Sequence, residues 1–224
     1  MDLYSQPAFA NRRAAGKELA RLLDRYRSQN DVIVLALPRG GVPVAYEVAR
    51  ALDAPLDIFL VRKLGLPGHQ ELAMGAIASG GVRVLNSDVV EWYRVPETVI
   101  DAVAKAEQEE LERRERTYRN YQAPLAPENR TVILVDDGLA TGSTMKAAVQ
   151  AIRMHHPARV IVAVPVGAAD TCREFSSVAD EIVCARAPEH FRAVGLWYQD
   201  FSQTSDDEVR ELLRGRPEPA GNAR

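Results

Sequence analysis

Apolar positions along the chain fall into two patterns that alternate. Short continuous apolar runs occur at VIVLAL (Val32–Leu37), LDIFLV (Leu56–Val61), TVILV (Thr131–Val135), RVIVAVPV (Arg159–Val166) and EIVCA (Glu181–Ala185). Runs of this length predict strands covered on both faces. Between them the apolar residues recur every three or four positions. From Asn11 to about Arg27, the residues Ala15, Leu19, Leu22, Leu23 and Tyr26 form an apolar stripe among Arg, Lys and Glu, which predicts an amphipathic helix. Val42–Leu52 predicts a second helix with Pro43 in its first turn, where a missing N–H costs little. Further helices are predicted over Pro96–Tyr121, Thr144–His155 and Asp170–Val178, and a last one opens at Ser205-Asp206-Asp207-Glu208, a capping-box pattern. Glu110/Arg114, Glu112/Arg116 and Glu115/Arg119 stand four apart in the long charged helix, as mutually supporting pairs on a solvated face do. Arg62–Glu71 (RKLGLPGHQE), with two glycines and a proline, reads as a loop, and AMGAIAS with VRVLN across Gly80-Gly81 reads as a hairpin.

Strands alternating with helices imply parallel pairing through right-handed crossovers. The predicted class is therefore α/β, with an open, mostly parallel sheet flanked by helices. At about 100–200 residues per domain, the chain reads as one domain over residues 1–215, with a core at 30–185, a small C-terminal part at 186–215 and a frayed tail at 216–224. A composition of 46% hydrophobic and 26% charged residues excludes a disordered or collagen-like chain. The net charge of −3 argues against a general nucleic-acid binder, although a local basic site stays open, for example on the face carrying Arg113, Arg114, Arg116 and Arg119. Two cysteines, Cys172 and Cys184, match no disulfide framework or zinc spacing and read as buried thiols in a reducing compartment. The start lacks the apolar core of a signal peptide, and no apolar run approaches the roughly 18 residues of a membrane span. The expected location is the cytoplasm.

Open α/β sheets bind ligands outside the carboxyl ends of their strands. The loops that follow strands are thus the places to search, and VILVDDGLATGSTMKAA (132–148) is the richest. A buried strand ends in two carboxylates, Asp136 and Asp137, and a Gly/Thr/Ser turn delivers the chain into a helix. Backbone amides and the hydroxyls of Thr141, Ser143 and Thr144 converge beside the positive end of that helix, a cradle for a phosphate-sized anion. Gly138 and Gly142 permit close backbone approach. The carboxylates are acceptors and suit sugar hydroxyls or a cation. A lone Asp-Asp-Gly would read as a capped turn. Acceptors beside an anion cradle fit a ribose 5-phosphate, and the G-x-x-x-x-G-K of nucleoside triphosphatases is absent.

The segment resembles the phosphoribosyl pyrophosphate (PRPP) binding motif of the type I phosphoribosyltransferases. LPRGG (Leu37–Gly41) is similar to the family's pyrophosphate loop, and VRKLGLPG (Val61–Gly68) to the Arg-Lys opening of its flexible catalytic loop. Order and spacing match over roughly residues 30–185, and the whole chain is most similar to a bacterial group within that family. The resemblance implies that Asp136 and Asp137 bind the ribose 2- and 3-hydroxyls, and that Gly138 and Ala140–Thr144 (Ala140, Thr141, Gly142, Ser143, Thr144) hold the 5-phosphate. It implies that Arg39, Gly40 and Gly41 hold pyrophosphate, with Arg62 and Lys63 neutralising the leaving diphosphate. It implies Mg²⁺ held mainly by PRPP oxygens and water rather than by a protein metal site, and a homodimer.

One departure stands out. Leu66 occupies the place where adenine enzymes of the family carry a second lysine. Glu71 is a candidate general acid or base, set against a merely exposed strand residue. In FRAVGLWYQDF (191–201), Phe191, Trp197, Tyr198 and Phe201 are candidates for stacking on a flat acceptor, set against packing in a small apolar lid. The expected function is transfer of a 5-phosphoribosyl group to a nitrogen acceptor such as a nucleobase. A PRPP- or nucleotide-sensing regulator of the same fold is the alternative, and a phosphorylase- or hydrolase-like use of ribose phosphates the third reading.

Overall fold

The structure is a computed structural model and describes residues 8–120 and 122–215; the side chains of Gln70 and Glu71 lie outside the description. The predicted tail at 216–224 also lies outside the described residues. The elements are α1 (Arg12–Leu22), β1 (Val32–Ala36), α2 (Gly41–Leu52), β2 (Leu56–Ile58), β3 (Val61–Leu66), β4 (His69–Ala78), β5 (Val82–Leu85), α3 (Ser87–Trp92), α4 (Glu97–Arg119), β6 (Thr131–Val135), α5 (Ser143–Arg153), β7 (Arg159–Val166), α6 (Ala169–Phe175), β8 (Glu181–Arg186) and α7 (Asp206–Arg214).

The main sheet has five strands in the order β2-β1-β6-β7-β8, and every pairing is parallel. Its strands are continuous apolar runs because both faces are covered. Alternate residues of β1 serve opposite cores: Val32, Val34 and Ala36 pack with Leu19, Val44, Val48, Leu52 and Leu212, whereas Ile33 and Leu35 pack with Met145, Val149, Ile152 and Phe175. The first group comes from α1, α2 and α7, and the second from α5 and α6. No helix among the described residues is long and apolar enough to cross a membrane.

Two predicted elements change. The strand expected over 56–61 ends at Ile58, and the loop expected over 62–71 is strand for most of its length. At Phe59 and Leu60 the chain leaves the main sheet. The Phe59 amide still donates to the Ala36 carbonyl at 2.9 Å, whereas the Leu60 amide donates to Ser79 Oγ at 2.9 Å. From Val61 the backbone pairs antiparallel with β4, and β5 completes a second, three-stranded sheet. The physical reason lies in the alternation of Leu64 and Leu66, both buried, with exposed Lys63 and Gly65. Pro67-Gly68 then turns the chain, with Gly68 at φ +81° and Leu66 registered against His69. Glycine and proline here mark a tight hairpin turn instead of an open loop.

Smaller differences are local. The first helix stops at Leu22 and passes into a 3₁₀ turn over Asp24–Tyr26, and α6 ends at Phe175, short of Val178. The helix expected to reach Tyr121 ends at Arg119, with Asn120 in the left-handed region; Tyr121 is outside the described residues. Helix α3, capped by Asn86, has no buried residue, and its exposed face gave no apolar periodicity to read. Glu110/Arg114 and Glu112/Arg116 pair at the surface as expected, whereas Glu115 pairs with an Arg119 that is buried rather than solvated, and Ser205 caps α7 by accepting from the Glu208 amide at 3.1 Å.

Where the chain crosses between sheets it is fastened by a buried ion pair. Arg119 Nε donates to Asp57 Oδ1 at 3.0 Å, its terminal nitrogen donates to the Ile58 carbonyl at 2.9 Å, and the Leu125 amide donates to Asp57 Oδ2 at 3.0 Å. Arg119 and Asp57 are both buried. Removing one member of such a pair strands the other charge. Arg119→Met is expected to cost about 3–5 kcal/mol, read as a fall in the urea midpoint at unchanged slope, whereas Arg116→Met on the exposed face changes stability little.

Candidate functional site

After β1 the chain winds outward to β2, and after β6 it winds the other way to β7. The crevice between the carboxyl ends of β1 and β6 is therefore the switch point of the sheet. Two loops meet there, Leu37–Gly40 and Asp136–Gly142. Their contact depends on two glycines. A Cβ on Gly40 would stand 2.0 Å from Asp137 Oδ2, and one on Gly41 would stand 2.7 Å from the Val135 carbonyl oxygen and 3.0 Å from Asp136 Cα. The Pro38–Arg39 peptide bond within this loop is cis.

The two carboxylates are enclosed but partnered. Asp136 Oδ1 accepts from the Asp137 amide at 2.8 Å. Asp137 Oδ2 accepts from Arg12 Nε, also at 2.8 Å, and both side chains of that ion pair are mostly buried. Arg12 also donates to the Ser202 carbonyl at 2.6 Å, and its guanidinium lies 3.9 Å from the centre of the Phe201 ring. Tyr198 donates its hydroxyl to the Asp137 carbonyl at 2.5 Å, with its own ring between Phe9 and Phe201. Burial, then the neighbouring charge of Asp137, pushes the Asp136 carboxyl well above the usual range. Burial also raises Asp137, opposed by Arg12. Tyr198 is raised by burial and by the Asp137 charge, which keeps its hydroxyl a donor.

Beyond the carboxylates the chemistry reverses. Helix α5 begins after Gly142, at φ +71°, and no side chain caps it. The exposed hydroxyls of Thr141 and Ser143 lie 3.2 Å apart at its N-terminus, beside exposed Thr144 and Ala140. An uncapped helix start with amides and hydroxyls facing outward is an anion cradle. The loop is fixed from below. Leu139 donates to the Val166 carbonyl at 2.8 Å, Ala168 donates back to the Leu139 carbonyl at 2.9 Å, and Thr171 Oγ1 donates to the Ala140 carbonyl at 2.7 Å. Gly142 sits over Phe175, where a Cβ would come within 2.6 Å of the ring, and Gly138 sits against Val194.

The remaining candidates divide. Lys63 and Val61 face a cleft of about 440 Å³ between the second sheet and α5, which Ser143 and Thr144 also line. Arg62, the next residue of the same strand, points to the other face and pairs with Glu107 of α4. The structure thus brings Lys63 towards the cradle and leaves Arg62 away from it. Arg39 reaches Asp206 at 3.5 Å in a small cleft shared with Arg113, Arg114 and Tyr118. Glu71 lies in β4, and its side chain is outside the described residues. Phe191 and Trp197 are half-buried against a cluster of Phe9, Ala15, Val166 and Tyr198. Arg12 escaped the sequence reading, and Tyr198, a stacking candidate there, is instead buried with its hydroxyl on the Asp137 carbonyl. Arg12 sits 125 residues from its partner in the first turn of an ordinary amphipathic helix, so no local signal marks it.

A family model described as a phosphoribosyl transferase domain matches residues 5–196. Curated relatives in two strains of Mycobacterium tuberculosis, described as candidate phosphoribosyl transferases, are 49% identical over 205 residues, which cover 92% of this chain and 46% of theirs. The chain thus spans about half the length of those relatives. The crystal structure of a Thermus thermophilus protein superposes with a TM-score of 0.81 at 40% identity, covering 92% of this chain and 97% of that one.

The raised pKa of Asp136 carries a sign for stability. A carboxyl raised on folding favours the native state below its unfolded pKa, near 3.8, and that contribution is lost as pH rises through the folded value. Asp136→Asn keeps an acceptor for the Asp137 amide and removes the charge. The variant is expected to be more stable than wild type at pH 7.5, with the difference closing as pH falls towards 4. Thermal melts across that range check it.

Proposed function

The chain belongs to the phosphoribosyl transferase family, and from that premise we propose that it moves the 5-phosphoribosyl group of PRPP to a nitrogen acceptor, a nucleobase, with release of pyrophosphate. The observation that carries this reading is the join of two opposite chemistries in one strand–loop–helix. Paired carboxylates that accept hydroxyls stand immediately before an uncapped helix start that accepts an anion.

In this reading Asp136 and Asp137 accept the ribose 2- and 3-hydroxyls. Their charge also stabilises the anomeric carbon as it becomes oxocarbenium-like. Ala140–Thr144 hold the 5-phosphate through amides and hydroxyls, with Gly138 and Gly142 admitting the close approach. Arg39 and the backbone of Gly40 and Gly41 hold the diphosphate on the neighbouring loop, and Lys63, on the face of β3 turned towards α5, supplies positive charge to it. Arg12 opposes the effect of burial on the Asp137 carboxyl and holds it in place. Glu71 is assigned to proton transfer at the acceptor. Phe191 and Trp197 are assigned to stack on the flat ring of that acceptor, with packing of the C-terminal part as their other role. Mg²⁺ suits the site, because the chain offers two adjacent carboxylates, Asp136 and Asp137, and this hard cation takes its remaining ligands from substrate oxygens and water. When bound, Mg²⁺ supplies charge neutralisation of the departing diphosphate. Cytoplasmic location and a homodimer complete the proposal.

A PRPP- or nucleotide-sensing regulator is the second reading, favoured by the engagement of Arg62 with Glu107, which removes one of two expected cations from the diphosphate. Pyrophosphate release from PRPP and Mg²⁺, measured with a panel of purines, pyrimidines and other nitrogen acceptors, decides between them. The expected result is release that depends on one acceptor and falls by at least about a hundredfold in the Asp136→Asn/Asp137→Asn double variant. Silence with every acceptor, while PRPP still binds the wild type, selects the sensor. A further expectation concerns the loop contact: Gly40→Ala places a Cβ on the Asp137 carboxylate and abolishes PRPP binding in calorimetry, with the fold retained by circular dichroism.

A further inference from the structure

Cys172 on α6 and Cys184 on β8 play no part in the chemistry above. Their sulfurs lie 3.1 Å apart, with the Cys172 thiol donating to Cys184 and the Cys184 thiol donating to the Arg186 carbonyl at 3.0 Å. Both are free thiols; Cys172 is buried and Cys184 half-buried, which makes Cys184 the more accessible of the two. The bond between the thiols draws Cys172 below the ordinary thiol range, helped by Arg173, and together with burial it pushes Cys184 above that range.

The pair also adjoins the cradle. Gly167 separates them: a Cβ there would stand 2.6 Å from Cys172 Sγ and 3.0 Å from Leu139 Cβ. Leu139 and Gly167 form an isolated bridge, and Thr171, the neighbour of Cys172, holds the Ala140 carbonyl. Phe175, on the same short helix, underlies Gly142. Apart from the Val166 carbonyl at the end of β7, the supports of the loop from Leu139 to Gly142 come from α6 or the two residues before it.

We propose that Cys172 and Cys184 are an oxidation site, at which a peroxide closes a reversible disulfide that displaces α6 and weakens the anion cradle. Cys172 loses its proton and attacks the peroxide; an S–O bond forms, the O–O bond breaks, and the departing hydroxide leaves as water with that proton. The Cys184 sulfur then attacks the Cys172 sulfur; the S–S bond forms, the S–O bond breaks, and a second water carries off the Cys184 proton. Two thiols lose two electrons and two protons, and one peroxide becomes two waters. A disulfide bond of about 2.05 Å draws the sulfurs together by roughly 1 Å. Cys184 is fixed in β8 by pairing with Val164, so the short α6 takes up the movement and carries Thr171 and Phe175 with it.

The oxidation itself stands apart from the proposed function, and the coupling to the cradle rests on it. The test uses the full chain, reduced and then treated with stoichiometric hydrogen peroxide. Intact mass and non-reducing peptide mapping are expected to show loss of two hydrogens and a Cys172–Cys184 cross-link, reversed by dithiothreitol and absent from Cys184→Ser and Cys172→Ala. Calorimetry with ribose 5-phosphate is expected to show binding weakened by at least about tenfold in the oxidised wild type, restored on reduction, and unaffected by peroxide in Cys184→Ser. Addition of oxygen atoms without a cross-link overturns the site. A cross-link with unchanged affinity overturns the coupling. If the reduced protein binds no ribose 5-phosphate, the functional reading falls and the coupling with it, while the mass readout still decides whether the dithiol closes.

Discussion

Two carboxylates on consecutive residues, enclosed at the end of a buried strand, have lost much of their water and repel each other. Burying such charges is costly unless they are paired and hydrogen-bonded. Much of the site is the answer to that cost. Arg12 supplies the opposite charge at 2.8 Å, and the Ser202 carbonyl and the Phe201 ring hold the guanidinium in place. Tyr198 takes the Asp137 carbonyl, and Gly40 and Gly41 leave the room that the pair needs. The segment carrying Phe9 and Arg12 meets the stretch from Phe191 to Ser202 at Asp137, with Arg12 on its carboxylate and Tyr198 on its carbonyl. The acidic pair thereby brings together two parts of the chain that lie far apart in sequence.

The electrostatics a few residues later has the opposite sign. Asp136 and Asp137 would repel an anion, and the helix that follows is left uncapped, with its hydroxyls exposed, where it would attract one. Both demands are met within one loop because its backbone is fastened from beneath by Val166, Ala168 and Thr171 instead of by its own side chains. The side chains of Thr141, Ser143 and Thr144 are thus free to face outward.

The parts of this arrangement that are local in sequence were legible there. VILV followed by Asp-Asp-Gly and Ala-Thr-Gly-Ser-Thr announces a buried strand, an acidic end and a helix start, and the structure has them at Thr131–Val135, Asp136–Asp137 and Ser143. The parallel sheet was legible because strands covered on both faces are apolar at nearly every position, with Asp57 of β2 an exception that Arg119 pairs. The second sheet was not. Val61–Leu66 carries Arg, Lys and Gly on the residues between Val61, Leu64 and Leu66, and its amphipathic alternation is short enough to pass for a loop closed by Pro-Gly. Arg12 was not legible either, because its role depends on a contact across 125 residues. Cys172 and Cys184 were read as buried thiols, and their mutual distance is a property of how α6 lies against β8.

The same alternation separates the two basic residues that sequence reading had paired. On a strand, neighbours point to opposite faces, so Arg62 and Lys63 cannot both address one ligand in the crevice. Lys63 turns to the cleft beside α5 and Arg62 to Glu107 on α4. Arg119, on that same helix, clasps Asp57 where the chain leaves the main sheet. Glu107 and Arg119 are separated by about 18 Å of helix at 1.5 Å per residue, and between them they fix both ends of the passage from β2 to β3. The role of α4 is that of a strut: by taking Arg62 for itself, it sets the rotation of β3 and so the side on which Lys63 stands.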